Sequence, residues 1–309
     1  MRIAVIGTGA VGGYFGAKLA AAGQDLVFIA RGAHLEALRR DGLRVLGPAG
    51  NILIRNAVFT SAAEAAGAVD VALICVKSYD TESAARACAG LIGAETTIFS
   101  LQNGIDNPEK LGGCFDAGRI LAGVVYIGAQ LEAPGVIRHF NGGRIVFGRL
   151  DGKIDPRAQS VEQMLSAAAI PCELRSDIQR IQWAKLLWNA PFCAISCLAR
   201  AHAGEIVGSA QLTRLALDCM AEVAAAARTR GIELRRSLFD ETIAFSRGLG
   251  DFKPSMLQDL EARKPLEYDA FNGFVVRLLS QAGQPAPVNQ TFYSLLQHLD
   301  QKSREEAAS

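Results

Sequence analysis

A glycine-rich turn near the start of the chain has the residue types that cradle phosphate groups. Gly7, Gly9 and Gly12 match G-x-G-x-x-G, which follows a short apolar run and opens a helix-forming segment. The first glycine of this pattern makes the tight turn, the second admits a pyrophosphate to the backbone, and the third lets helix and strand pack closely. The phosphates bind free N–H groups at the positive end of the helix.

We therefore predict a dinucleotide site on this turn, with a purely structural turn as the alternative. Its residues are Gly7, Thr8, Gly9, Ala10, Val11 and Gly12.

The residue that ends the second predicted strand bears on the choice of cofactor. The apolar run 26–30 ends in Arg31, at the spacing expected for the residue that faces the adenosine ribose. An acidic residue there would bind the 2′-hydroxyl of NAD, whereas an arginine accommodates the 2′-phosphate of NADP. No Asp or Glu follows until Glu36. The sequence therefore favours NADP(H), although an ordinary solvated arginine at a strand end is an alternative.

Two polar residues follow later strands at the same predicted edge of the sheet. Lys77 comes directly after the run 69–76, and Asn103 follows the run 97–101. The carboxyl ends of parallel strands form the edge where open α/β sheets bind ligands. Lys77 could reach a cofactor phosphate or ribose there, and Asn103 offers both a donor and an acceptor to a ribose or a substrate. A solvated lysine and a simple Asn-Gly turn are the alternatives.

Polar residues also occur where a later helix is expected to be buried. A helix that begins near residue 177 places Ile181, Lys185, Asn189 and Phe192 on one face. Lys185 and Asn189 are four residues apart, so their side chains are neighbours. An ammonium group is costly to bury without a partner. Either the lysine reaches solvent at its tip, or it meets a carbonyl substrate.

The order of the predicted elements divides the chain into two domains. At 309 residues the chain exceeds the roughly 250–300 residues that one hydrophobic core usually organises. Strands and helices alternate over residues 1–175, which indicates an α/β domain of the Rossmann type. Residues 176–309 show only helical patterns. We therefore predict an N-terminal dinucleotide-binding domain, followed by an all-helical domain.

Composition and charge are those of an ordinary globular protein. The sequence is 50% hydrophobic and 20% charged, with a formal net charge of +1, which argues against a general nucleic-acid or membrane-surface role. No apolar run approaches the roughly 20 residues of a membrane span. The seven cysteines are scattered and show no zinc spacing. We expect buried, reduced thiols in a cytoplasmic protein without a metal site. The apolar helices are compatible with a homodimer but do not specify one.

Taken together, the motifs resemble the ketopantoate reductase (2-dehydropantoate 2-reductase) family over nearly the whole chain. The matching pieces are Gly7-x-Gly-x-x-Gly12, Arg31, Val76-Lys77, Gln102-Asn103-Gly104, Lys185-Leu-x-x-Asn189, Ser255-Met-Leu-Gln-Asp259 and Glu267-x-Asp-x-x-Asn272-Gly273.

The resemblance implies an enzyme that uses NADPH to reduce the 2-keto group of ketopantoate, yielding pantoate for pantothenate and coenzyme A synthesis. It implies that Lys185 is the catalytic acid and that Glu267 supports it. It also implies that Asn103, Asn189 and Ser255 hold the substrate, which makes residues 176–309 the substrate and catalytic domain.

Two positions depart from the family pattern, both on the substrate side. The family commonly has a second asparagine four residues after the Asn189 position, where this chain has Cys193. It often has a polar residue shortly before Ser255, where this chain has Phe252-Lys253-Pro254. We expect Cys193 and Phe252 to border a less polar substrate pocket. Two alternatives stay open: a reductase of another 2-keto acid, or a non-catalytic NADPH-binding sensor on the same fold.

Overall fold

The chain folds as two compact units, Met1–Ile178 and Gln179–Ser309, whereas the sequence predicts a boundary near residue 175. The computed structural model describes residues 1–308, without the side chains of residues 64, 65, 307 and 308. The last residue of the predicted second domain, Ser309, lies outside the described residues.

One mixed sheet organises the first unit. Its strands in the described residues are β1 (Arg2–Ile6), β2 (Asp25–Ile29), β3 (Leu43–Leu46), β4 (Ile52–Ile54), β5 (Val58–Thr60), β6 (Val71–Ile74), β7 (Thr97–Ser100), β8 (Ile120–Ala133), β9 (Val136–Gly148) and β10 (Cys172–Leu174). Their order is β4-β3-β9-β8-β7-β6-β1-β2-β5, and β10 pairs with β9. Strand β1 lies between β2 and β6 and is parallel to both. The strand order reverses there, which is where open α/β sheets bind their ligands.

Helices flank the sheet in the first unit and make up the second. They are α1 (Ala10–Ala21), α2 (Gly32–Asp41), α3 (Thr81–Ala87), α4 (Asn107–Gly112), α5 (Pro156–Ala167), α6 (Ile178–Ala199), α7 (Ala203–Gly208), α8 (Ala210–Thr229), α9 (Ser237–Arg247), α10 (Ser255–Glu261), α11 (Phe274–Gln281) and α12 (Pro287–Ala308). A π-helical turn, Asp269–Gly273, leads into α11. Within residues 1–308, no helix has both the length and the apolar character to cross a bilayer. The predicted fold class, a Rossmann-type α/β domain followed by an all-helical domain, is confirmed.

The central strand is buried on both faces. In β1, Ile3 and Val5 join one hydrophobic cluster, and Ala4 and Ile6 join another. Because successive side chains of a strand point to opposite faces, a continuous apolar run is what a sheet covered on both sides requires. The same packing holds the turn at the end of β1 in a fixed position.

The long hairpin of β8 and β9 differs from the prediction. The sequence pattern between residues 120 and 147 predicts four short strands, but the structure has two long ones with register shifts near Tyr126 and Gly128. Gly142 and Gly143 adopt positive φ inside β9, opposite the first of these shifts. A β-bulge breaks the alternation of side chains without ending the strand, so the glycines mark bulges rather than turns.

The cysteines are free thiols, but they are not all buried as predicted. Four of the seven are buried, Cys75 and Cys172 are half-buried, and Cys114 is exposed. Cys114 follows the short helix α4, where the chain runs over the surface. Among the described residues, no group of three or more His, Cys, Asp and Glu side chains could hold a metal ion.

Candidate active site

The turn after β1 has the close packing that its glycines predict. Gly7 adopts φ +97°, and a Cβ at this position would lie 2.6 Å from the Val76 nitrogen. A Cβ on Gly12 would collide with the Gly7 carbonyl oxygen and would lie 2.9 Å from Cys75 Cβ. Both positions therefore require glycine, because the turn, α1 and the segment after β6 leave no room for a side chain.

Gly9, in contrast, borders open space. A Cβ on Gly9 would meet no heavy atom within 4 Å. Gly9 is the N-cap of α1, and in the described structure no side chain caps this helix start and no acidic residue lies in its first turn. Ala10 and Val11 begin the helix and are partly exposed. An open helix start, where no side chain caps the N–H groups and no acidic residue offsets their positive charge, fits a pyrophosphate.

Thr8 turns its side chain into the protein. Its Oγ1 donates to the Ile29 carbonyl at 2.9 Å, and its backbone nitrogen donates to the same oxygen at 3.2 Å. The residue is only 3% exposed. Thr8 therefore contributes to the turn through its backbone and leaves its hydroxyl bound to β2.

Arg31 lies at the same edge of the sheet as the glycine turn. It follows β2, which pairs in parallel with β1, and it is the N-cap residue of α2. Its side chain is exposed. An exposed guanidinium at this edge has room to meet a phosphate group.

A buried hydrogen-bond network joins the segments that carry Lys77 and Asn103. Gln102 Nε2 donates to the Val76 carbonyl at 3.0 Å and to Thr81 Oγ1 at 2.7 Å. The Thr81 hydroxyl lies 2.8 Å from Asn107 Oδ1, and Asn107 Nδ2 donates to the Asn103 carbonyl at 2.6 Å. The side chains of Gln102, Thr81 and Asn107 are all buried. The network therefore fixes the backbone of the two segments that carry the candidate ligand-binding residues Lys77 and Asn103.

Lys77 and Asn103 themselves remain partly exposed, each three residues beyond the end of its strand, β6 or β7, which pair in parallel. Sequence reasoning identified these two residues but missed the supporting roles of Thr81 and Asn107. The sequence Asn107-Pro108 predicts a helix start with Asn107 as its cap, whereas Asp106 is the N-cap of α4 and the Asn107 amide belongs to the network. The pairing of Thr81 with Asn107 spans 26 residues and leaves no local signal.

In the second unit, α6 carries the predicted pair of polar residues on one face, Lys185 and Asn189, which we call the polar stripe. Asn189 is buried, and Lys185 is half-buried. Ile178 and Phe192, on the same face, are fully buried. Burial lowers the pKa of Lys185 from its usual 10.5 to about 8, although Cys193 and Glu267 favour the charged form. Such an amine is mostly protonated at neutral pH yet gives up its proton readily, as an acid catalyst must.

Glu267 is held beside this stripe by a second buried network. It is 4% exposed and precedes the π-helical turn Asp269–Gly273. Within that turn, Asn272 Nδ2 donates to the Ala190 carbonyl of α6 at 3.2 Å and to Asn289 Oδ1 of α12 at 2.9 Å. The turn is therefore anchored to α6 next to Asn189, which keeps the Glu267 charge close to Lys185.

Replacing Asn272 with alanine is expected to lower the free energy of unfolding by about 2–4 kcal/mol. Two hydrogen bonds are lost: the Ala190 carbonyl loses its side-chain donor, and Asn289 Oδ1 keeps only the weak donor of the Cys219 thiol. Urea denaturation of the purified variant measures the change. Gln290→Ala, which removes an exposed pair with Ser294 on α12, is the control and should cost far less. A loss below about 1 kcal/mol for Asn272→Ala would show that the network does not anchor the turn.

Of the two departures from the family pattern, Cys193 lies within α6 and Phe252 packs against it. Phe252 packs edge-on against Trp188 with ring centroids 6.1 Å apart, and Trp188 directly precedes Asn189. Cys193 is buried and acts electrostatically on Lys185. Ser255 is the first residue of α10, three positions after Phe252, and is partly exposed.

The predicted site residues thus form two groups. One group, at the carboxyl edge of the sheet, contains the glycine turn, Arg31, Lys77 and Asn103. The other group, in the helical unit, contains Lys185 with its neighbours on α6, together with Glu267. A cavity of about 640 Å³ at the opposite edge of the sheet, lined by Asp70, Thr97 and Arg157 among others, belongs to neither group.

Comparison with known proteins identifies the family of the chain. A family model described as ketopantoate reductase PanE/ApbA matches residues 3–152, and the model of its C-terminal part matches residues 177–300. The chain belongs to the ketopantoate reductase family. The 2-dehydropantoate 2-reductase of Mesorhizobium japonicum is 32% identical over 97% of this chain and 98% of its own length. A ketopantoate reductase structure from Ralstonia eutropha is 30% identical, with TM-score 0.91 and coverage of 98% of this chain and 100% of that one.

A similar fold also occurs in an enzyme that is described as a dehydrogenase of a different substrate. A D-mandelate dehydrogenase solved with NADH and anilino(oxo)acetate has a TM-score of 0.91, is 22% identical, and covers 98% of this chain and 99% of that one. At this identity the likeness concerns the fold. Membership of the ketopantoate reductase family makes the protein an oxidoreductase, while the choice of nicotinamide cofactor and of keto acid depends on particular residues.

Proposed function

We propose that the protein catalyses the NADPH-dependent reduction of ketopantoate to pantoate. The observation that carries the proposal is Lys185, a half-buried lysine whose pKa is lowered by burial to about 8 and whose charged form is favoured by Glu267. Asn189 shares its helix face. This is an acid with a supporting carboxylate and an amide neighbour, in a chain that carries a dinucleotide turn.

The reaction requires a hydride at the keto carbon and a proton at the keto oxygen. Bound NADPH would supply the hydride. The Lys185 ammonium donates a hydrogen bond to the keto oxygen and stabilises the negative charge that develops there. The proton then moves from Lys185 Nζ to that oxygen, which completes the 2-hydroxy acid. Glu267 favours the charged form of Lys185 and so keeps the donor loaded.

The remaining polar residues would hold the substrate. The amides of Asn103 and Asn189 and the hydroxyl of Ser255 can each donate a hydrogen bond to a carboxylate or accept one from a hydroxyl. Such contacts orient a keto acid without competing with Lys185 for the keto oxygen. The substrate partner is therefore a small 2-keto acid; a homodimer and a cytoplasmic location stay predictions.

NADP(H) is the proposed cofactor. The exposed Arg31 at the end of β2 supports this choice, since no carboxylate replaces it at that position. Lys77, three residues after the end of β6, would add a second positive charge at the same edge. The backbone of the turn from Gly7 to Gly12 would receive the pyrophosphate.

A second candidate function is the reduction of a different 2-keto acid with a less polar side chain. Cys193 and Phe252 favour it, because a thiol and a phenyl ring replace groups that would hydrogen-bond a hydroxylated substrate. The third candidate, a non-catalytic sensor, has less support. A protein that only binds NADPH has no use for a half-buried lysine with a lowered pKa.

Oxidation of NADPH with ketopantoate and a panel of other 2-keto acids tests the proposal. Trimethylpyruvate is the matched comparison, since it differs from ketopantoate only by lacking the hydroxyl. We expect ketopantoate to be reduced. Faster reduction of trimethylpyruvate would favour the second candidate, and no oxidation with any keto acid, despite NADPH binding, would favour the sensor.

Cys193→Asn is expected to raise kcat/KM for ketopantoate about two- to tenfold, because a restored amide adds one hydrogen bond to a polar substrate. Steady-state kinetics at saturating NADPH measures the change. Cys114→Asn, at an exposed thiol of the first unit, is the control and should have no effect. An unchanged or lower kcat/KM in Cys193→Asn would show that the cysteine has a structural role.

A further inference from the structure

His34, on α2, joins the phosphate-binding turn to a distant hairpin. Its Nε2 lies 2.6 Å from the Thr8 carbonyl oxygen, and its Nδ1 lies 2.9 Å from the backbone nitrogen of Gly135. Gly135 lies between β8 and β9, 101 residues along the chain. The ring is half-buried. A single side chain thus connects the turn that is expected to meet the cofactor with the other half of the sheet.

The chemistry of the two partners fixes the state of the ring. A backbone N–H can only donate, so Nδ1 accepts the hydrogen bond from Gly135. A carbonyl oxygen can only accept, so Nε2 carries the proton and donates it to Thr8. His34 is therefore a neutral imidazole protonated at Nε2, with both nitrogens used.

The bond to Thr8 acts on the peptide that faces the cofactor. The Thr8 carbonyl and the Gly9 N–H belong to one planar trans peptide, so they point in opposite directions. Holding the carbonyl against the ring therefore turns the Gly9 N–H away from His34. The hydroxyl and N–H of Thr8 are bound to the Ile29 carbonyl, so the residue is fixed on its other side as well.

Gly9 is held through its backbone alone, since its carbonyl oxygen accepts from the Gly13 nitrogen at 2.8 Å. It has no side chain, and a Cβ at this position would meet no heavy atom within 4 Å. A glycine in such a place samples a wide range of backbone conformations, which would have to be restricted when a ligand binds. The ring of His34 removes one of these freedoms before the ligand arrives.

We propose that His34 is a positioning residue for the dinucleotide, which holds the Thr8–Gly9 peptide so that the Gly9 N–H is presented to the pyrophosphate. The inference rests on the proposed cofactor and is independent of the keto acid. Loss of the ring should weaken NADPH binding about tenfold, the factor that corresponds to ordering the backbone of one residue on binding.

Calorimetric titration of NADPH into a set of variants tests this. We expect His34→Leu to raise the Kd of NADPH about tenfold. His34→Gln keeps a side-chain N–H that can reach the Thr8 carbonyl, and it should restore most of the affinity. His298→Leu, at an exposed histidine of α12, is the control and should leave the Kd unchanged.

Binding of adenosine 2′-phosphate distinguishes a loss of Gly9 N–H positioning from general damage to the binding site, because this ligand lacks the pyrophosphate. Its affinity should be the same in the unmutated protein and in His34→Leu. An unchanged NADPH affinity in His34→Leu, or an equal loss for both ligands, would overturn the proposal.

If His34→Leu does not fold, ¹⁵N NMR of the unmutated protein tests the proposal by showing which ring nitrogen of His34 carries the proton. A proton on His34 Nε2 that is retained when NADPH is added supports the proposal, and a proton on Nδ1 overturns it. NADPH binding without ketopantoate reduction would refute the proposed reaction and leave the role of His34 standing. A protein that binds no NADPH would refute both.

Discussion

Lys185→Ala is expected to lower kcat for ketopantoate reduction about 10²–10⁴-fold, the usual contribution of a positioned proton donor. The variant lacks both the proton and the positive charge that stabilise the forming alkoxide. The Kd of NADPH should stay within a few-fold, because the glycine turn and Arg31 are unchanged. Stopped-flow and steady-state assays of NADPH oxidation, combined with NADPH titration, measure both quantities. Lys264→Ala, at an exposed lysine of the same unit, is the control.

Glu267→Ala is expected to lower kcat less than Lys185→Ala does. Its loss removes a charge that favours the Lys185 ammonium but leaves the proton donor in place. In the Lys185→Ala background, the second change should have almost no further effect, because residues that act as one unit are not additive. The kcat values of the unmutated protein, the two single variants and the double variant complete this double-mutant cycle. Full additivity would mean that the two residues work independently and that the proposed pair does not exist.

Arg31→Ala is expected to weaken NADPH binding roughly ten- to a hundredfold, the factor that corresponds to one charge-assisted hydrogen bond. NADH affinity should barely change, since NADH has no 2′-phosphate for the guanidinium to meet. Calorimetric titration of NADPH and of NADH gives, for each cofactor, the ratio of the Kd in Arg31→Ala to the Kd in the unmutated protein. Arg40→Ala is the control, because Arg40 is an exposed arginine of the same helix that pairs with Asp41. Equal affinity of the unmutated protein for NADPH and NADH would contradict the assignment of Arg31.

Local patterns in the sequence predicted the glycine turn well. The constraint on Gly7 and Gly12 is steric and acts between segments that any dinucleotide-binding sheet brings together, so the spacing of the glycines carries the information. The polar stripe of Lys185 and Asn189 was equally visible, because it breaks the apolar face of a helix.

Contacts between distant parts of the chain could not be predicted in this way. The Thr81–Asn107 pair and the bond between His34 and Gly135 join segments 26 and 101 residues apart. The segment before α11 forms a π-helical turn, and the register of β8 and β9 depends on bulges. These features arise from packing between segments, so hydrophobic periodicity within one segment does not report them.

The dependence of kcat/KM on pH tests the central claim, that Lys185 donates the proton, most directly. The ammonium is the active form and its pKa is about 8, so kcat/KM for ketopantoate at saturating NADPH should be level below that pH. Above it, kcat/KM should fall about tenfold per pH unit, because the donor has lost its proton. In Lys185→Arg, whose guanidinium stays charged, this decline should disappear. A kcat/KM that stays level to pH 10 in the unmutated protein, or an unchanged decline in Lys185→Arg, would contradict the account.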